Sequence, residues 1–104
     1  MSRQFDLHIH PIPSLRKSFP YIVNIQSDYL DALPTRLCAS LFRGRPQLAI
    51  DRLEPVVSVQ GESLILSVLD LATFRLSELG EQTGTIGDYR HEIVSAVDIV
   101  LTGV

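Results

Sequence analysis

Apolar and polar residues alternate through Phe5-Asp6-Leu7-His8-Ile9-His10. A period of two places Phe5, Leu7 and Ile9 on one face of a half-buried strand. Pro11 and Pro13 end it, because proline has no N–H to give to a ladder. Tyr21, Val23 and Ile25 repeat the period in a second strand, and Leu37, Ala39 and Leu41 alternate with Cys38 and Ser40 in a third. Between these two, "SDYLDALP" reads as a turn or loop. The clearest pairing signal is "PVVSVQGESLILSVLD", where two β-rich runs flank Gln60-Gly61 and the glycine allows the positive φ of a tight hairpin turn. A shorter strand is expected over Phe74 to Ser77. Gly80 to Gly87, "GEQTGTIG", lacks the lysine of a phosphate-binding loop and reads as a flexible connection.

The period then changes. Ile93, Ala96, Val97, Val100 and Leu101 form a helical stripe, with Asp88 expected as its N-cap and Glu92 suited to the positive end of the helix dipole. Gly103 stands where a helix C-terminal glycine belongs. Five or six antiparallel strands followed by one helix make an α+β plan. The pattern stays apolar through Leu101 and Val104. These two either close the core of one chain or lie in an interface, since an apolar tail is costly to expose.

Length and composition narrow the class. The chain has 104 residues, 45% of them hydrophobic, enough for one domain over residues 1–104 with one core. No apolar run approaches the ~20 residues of a membrane span. Met1-Ser2-Arg3-Gln4-Phe5 lacks the apolar centre of a signal peptide, so a cytoplasmic protein is expected. The single cysteine, Cys38, excludes an internal disulfide and a cysteine metal cluster and reads as a small buried filler. A net charge of −3 gives no global attraction to nucleic acid or anionic membrane. Arg36, Arg43, Arg45 and Arg52 nevertheless stand against Asp51 alone in the middle of the chain. That stretch is either an ordinary solvated loop or a surface for an acidic partner.

Two constellations invite chemistry. His8-x-His10 puts two imidazoles on one strand face, and His91 would complete a three-histidine metal set, but a polar strand face carries such pairs routinely. The plainer reading has no metal and no cofactor. Gln26-Ser27-Asp28 has no catalytic partner in view; its Ser and Asp side chains are expected to bond backbone groups at the strand exit.

Taken in order, "VNIQSDYLD", "LEPVVSVQGESLILSVLDLA", "LGE" and the closing helix ending in Gly103-Val104 resemble the CcdB toxins of bacterial toxin–antitoxin modules. The carrying elements are Gln26-Ser27-Asp28, Tyr29-Leu30-Asp31, Pro55-Val56-Val57, Gly61-Glu62-Ser63, Asp70-Leu71-Ala72, Gly80-Glu81 and Gly103-Val104. The likeness covers nearly the whole chain. It implies an antiparallel SH3-like barrel sheet of the kind shared with MazF, one C-terminal helix, and a homodimer. It also implies the toxin of a type II module that binds the DNA gyrase A subunit, traps the gyrase–DNA cleavage complex, and is neutralised by a CcdA-like antitoxin. Such a toxin is a poison and not an enzyme.

By the same resemblance, the gyrase-binding positions are Tyr29, Leu30, Asp98, Leu101, Thr102, Gly103 and Val104, and the antitoxin-binding candidates are Arg16, Lys17, Arg43 and Arg45. The family's tip reads aromatic-Trp-Gly-Ile, where this chain has Leu101-Thr102-Gly103-Val104 and no tryptophan anywhere. The ring that stacks on a gyrase arginine is therefore missing. Two alternatives follow: a divergent homologue with a lost or changed target that still binds antitoxin, or a MazF-like mRNA endoribonuclease using Arg36 with His8 or His91.

Overall fold

A computed structural model of the chain describes residues 2–104; the part of the N-terminal reading that falls on Met1 lies outside the described residues. The strands are β1 (Asp6–Ile9), β2 (Tyr21–Asn24), β3 (Thr35–Phe42), β4 (Val56–Val59), β5 (Glu62–Arg75) and β6 (Gln82–Thr85), followed by α1 (Arg90–Thr102). They form one antiparallel sheet in the order β4-β5-β3-β2-β1-β6, curled as a half-barrel. The expected α+β class and SH3-like architecture hold.

Register explains the core. Leu7 lies opposite Val23 and Val23 opposite Ala39, while Leu41 pairs with Leu66 and Val57 with Leu64. These residues share the concave face and bury together with Phe5, Val59, Val68 and Ile86. Helix α1 closes that face with Ile93 and Ala96, both fully buried, and with the partly buried Val97. Covering a side chain such as Ile93 contributes about 1.5–3 kcal/mol.

The helix is held at both ends. Gly103 adopts φ 78° and donates its N–H to the Ile99 carbonyl at 2.9 Å, the left-handed cap expected of it. At the start, the Tyr89 hydroxyl accepts the Ser58 N–H from β4 at 3.0 Å, and the Arg90 guanidinium lies 5.5 Å from the Phe5 ring centre. The hairpin β4–β5 turns at Gln60 (φ 51°) and Gly61 (φ 82°), two positive values in succession as a type I′ turn requires.

Four expectations need correction. Asp88 is not the N-cap: a 3₁₀ turn over Gly87–Tyr89 intervenes and α1 starts at Arg90. No separate strand spans Phe74 to Ser77; β5 runs on to Arg75, and Leu76–Glu78 is a 3₁₀ turn. The segment read as a flexible connection contains β6, an edge strand paired with β1. Finally, β1 is not half-buried. His8 and His10 are buried, because Ser2, the β1–β2 connection and the Gly80 region cover the convex face, whereas Ile9 is exposed.

Candidate functional site

The segment after β2 is fastened by side chains. Gln26 accepts the Leu37 N–H at 3.0 Å and donates to the Leu30 carbonyl at 3.3 Å. Ser27 Oγ accepts the Tyr29 N–H at 3.1 Å, and Asp28 accepts the Gln4 N–H at 2.8 Å. These bonds wind Asp28–Leu30 into a 3₁₀ turn, as expected for backbone capping at the strand exit. The turn holds Tyr29 out at 93% exposure, alone among the aromatic residues, and Leu30 at 42%.

A cleft of about 290 Å³ separates this turn from the helix. Ile25, Leu30 and Leu37 line one side, Ile93, Val94 and Val97 the other, with Asp98 at its edge. Beyond it the tail is open: Leu101 is 75% exposed and Val104 80%. The reading in which these two close the core is overturned. Thr102 Oγ1 donates back to the Asp98 carbonyl at 2.7 Å, and a Cβ on Gly103 would meet nothing within 4 Å. Leu30 and Asp98 therefore share one cleft, while Tyr29 adjoins it through the turn.

The second predicted group lies beside the β1–β2 connection. Arg43 donates from Nη1 to the carbonyls of Lys17 (2.7 Å) and Arg16 (3.3 Å), which brings three of the four candidates together through the backbone, while the Arg16 Nε donates to the His10 carbonyl at 2.7 Å. Arg45 follows Arg43 and is exposed. Arg43 also forms a fork with Glu62, Nε to Oε2 at 2.6 Å and Nη2 to Oε1 at 3.3 Å. This bonding holds its guanidinium more firmly protonated than usual. Glu62, part of the Gly61-Glu62-Ser63 element, meets Arg43 because the start of β5 pairs with the end of β3.

Other candidates are otherwise occupied. Arg36 is no solvated loop residue. It is fully buried and donates to the carbonyls of Ser2 (3.1 Å), Leu33 (2.8 Å), Thr35 (2.9 Å) and Asp31 (3.3 Å), with the Asp31 carboxylate 3.8 Å away. His8 bonds Ser2 Oγ through Nε2 and the Gly80 carbonyl through Nδ1, each at 2.9 Å. A carbonyl only accepts, so Nδ1 is the donor in the Gly80 bond. His10 Nδ1 accepts the Ile12 N–H at 3.1 Å. Burial, then Arg16, push its pKa below the usual value, with Asp70 opposing. His91 lies on the exposed surface of α1, in a larger concavity of about 570 Å³ bordered by Asp51, Tyr89 and Glu92. That concavity contains none of the contact residues predicted above, and the described residues contain no three-ligand metal cluster. Cys38 is buried as expected, and burial pushes its thiol up to about 12.

A family model described as the CcdB protein matches residues 4–103. The chain belongs to the CcdB family. Comparison with curated proteins gave no match. CcdB membership supports a toxin of a toxin–antitoxin module as the class of this protein. No helix is long and apolar enough to cross a membrane among the described residues. The CcdB-type sequence elements fall on the features above: Gln26-Ser27-Asp28 builds the turn, Gly61-Glu62 the hairpin, and Gly103 the helix cap.

Proposed function

We propose that this CcdB-family protein is the toxin of a type II module that acts as a homodimer on the DNA gyrase A subunit. Tyr29, Leu30, Asp98, Leu101, Thr102, Gly103 and Val104 form the docking surface. The single observation that carries the reading is the exposed tip: Tyr29, Leu101 and Val104 stand in solvent beside an apolar cleft. Apolar area left in water costs about 25 cal/mol per Å², so such a tip belongs against another protein surface. Rigid aromatic side chains at such places are the usual anchors of protein interfaces. The toxin makes and breaks no bond. It docks in the cytoplasm on gyrase held on cut DNA, and an acidic CcdA-like antitoxin meets Arg16, Lys17, Arg43 and Arg45 and removes it.

The endoribonuclease alternative draws no support from the geometry, because Arg36, which it needs with either His8 or His91, is fully buried and spends its donors on backbone carbonyls, and His8 has both ring nitrogens engaged. The test is expression in bacteria together with a gyrase A pull-down, using Tyr29→Ala as the control. Growth arrest with linearised DNA, and capture lost in the variant, is the expected outcome. Growth arrest with shortened transcripts sinks the gyrase reading. Normal growth and no capture identify a homologue whose target has changed.

A further inference from the structure

All three guanidinium nitrogens of Arg43 are engaged inside the chain. Nε and Nη2 grip the two oxygens of Glu62, and Nη1 grips the carbonyls of Lys17 and Arg16. This candidate for meeting an acidic partner is thus already bound to a carboxylate. Its neighbours are not: the ion pairs among the described residues are Arg3–Asp28, Arg36–Asp31 and Arg43–Glu62, which leaves Arg16, Lys17 and Arg45 without a carboxylate, Arg16 donating from Nε to the His10 carbonyl at 2.7 Å instead. Arg43 reaches the backbone of Arg16 and Lys17 and stands two residues before the exposed Arg45, so cationic residues gather in this part of the chain, and Glu62 is the carboxylate paired with Arg43. Both members of the Arg43–Glu62 pair are partly in water, at 46% and 42% side-chain exposure, so the pair can separate without exposing core. Glu62 begins β5 just after the tight turn, and the Nη1 bonds to the Lys17 and Arg16 carbonyls hold the guanidinium independently of it.

We propose that Glu62 is a built-in stand-in for a partner's carboxylate, and that an acidic peptide segment docks on this face by taking its place on Arg43. Lys17, Arg16 and Arg45 supply the attraction that Glu62 does not satisfy, and the fork on Arg43 supplies the geometry. Two side-by-side N–H donors match the two oxygens of a carboxylate. A peptide is favoured over nucleic acid because the carboxylate already seated shows what the fork accepts. The inference rests on the reading of Arg16, Lys17, Arg43 and Arg45 as the face for an acidic antitoxin. It adds that Glu62 weakens that encounter by competing with it.

The experiment is fluorescence anisotropy on the full chain with a labelled synthetic peptide alternating glutamate and leucine. The same peptide with glutamine for glutamate, and a single-stranded oligonucleotide, serve as further probes. Glu62→Gln is expected to tighten the acidic peptide about 3-fold, the scale of one exposed ion pair, and the gain is expected to vanish when Arg43→Gln is added. The double variant Lys17→Glu with Arg45→Glu is expected to weaken it about 10-fold or more. If that double variant binds like the parent chain, or the parent binds no acidic peptide, the docking face itself is wrong. If the double variant weakens binding but Glu62→Gln does not tighten it, the exchange is wrong while the face stands. Tighter binding of the oligonucleotide than of the acidic peptide overturns the peptide assignment.

Discussion

Replacing Arg36 with methionine tests whether the buried guanidinium is a clamp or a spectator. Methionine keeps the length of the stem and removes the charge. The guanidinium donates to the carbonyls of Ser2, Leu33, Thr35 and Asp31, drawing the N-terminal segment and the loop after Leu30 onto β3. A hydrogen bond from a charged donor contributes roughly 1.5–3 kcal/mol net, and a buried acceptor left bare costs about 1–3 kcal/mol. The Ser2 contact lies in the interior, while the other three are partly buried and regain water once the donor is gone. Against these losses stands the relief of no longer burying a charge, which is several kcal/mol in a poorly paired site. The balance is a destabilisation of about 3 kcal/mol, which for a domain of this size lowers Tm by more than about 10 °C. Urea and thermal unfolding followed by circular dichroism, at several protein concentrations to separate any association, measure it. A loss below about 1 kcal/mol would refute the clamp, because the four carbonyls would then be satisfied without Arg36.

Thr102→Trp restores a flat ring at the tip and is expected to raise affinity for the gyrase A subunit about 2- to 30-fold, the range of a cation–π contact, read by titration calorimetry. No gain means that the target has changed. Folded-state His10 has its pKa held below 6.5 by burial and by Arg16, against Asp70. Above pH 6.5 it is neutral in both states and stability is unaffected by it; as pH falls through 6.5 the unfolded chain takes the proton first, so stability drops until the folded state also protonates. His10→Phe is expected to flatten that part of an acid unfolding profile, and an unchanged slope would assign it elsewhere. Cys38, with its thiol pushed up to about 12, is expected to resist iodoacetamide at pH 8 in the native state and to react only in denaturant; rapid native labelling would contradict its burial.

What the sequence made legible is local. Gln60-Gly61 specifies its own turn through two positive φ values, Gly103 its own cap, and Ser27 bonds the Tyr29 N–H two residues on. The alternation in β2 and β3 holds on the concave face because Val23, Ala39 and Leu41 face one core. The failures come from distant partners. Arg36 looked like a surface cation because its acceptor on Ser2 lies far away along the chain. His8 and His10 looked solvent-facing because the cover over the second face is built from Ser2, Phe19 and Gly80, none of which adds to an apolar period. Strand β6 has almost no apolar residues, and its order comes from backbone bonds to β1. Asp88 misled because the Gly87–Tyr89 turn delays the helix. At the candidate site, exposure of Tyr29 was within reach of sequence reasoning, whereas the pairing of Arg43 with Glu62 needed the meeting of β3 and β5 in space.

The bond between the Tyr89 hydroxyl and the Ser58 N–H bears on how such a protein stays dispersed while presenting a greasy tip. β4 is an outer strand of the sheet, and a bare outer strand is a template on which further copies stack into fibres. With a phenol seated on one of its amides, that template is interrupted in the middle. On the opposite border, Gln82, Thr83 and Thr85 offer only polar side chains to a would-be neighbour. Growth of the sheet by edge-to-edge stacking is thereby discouraged along both margins.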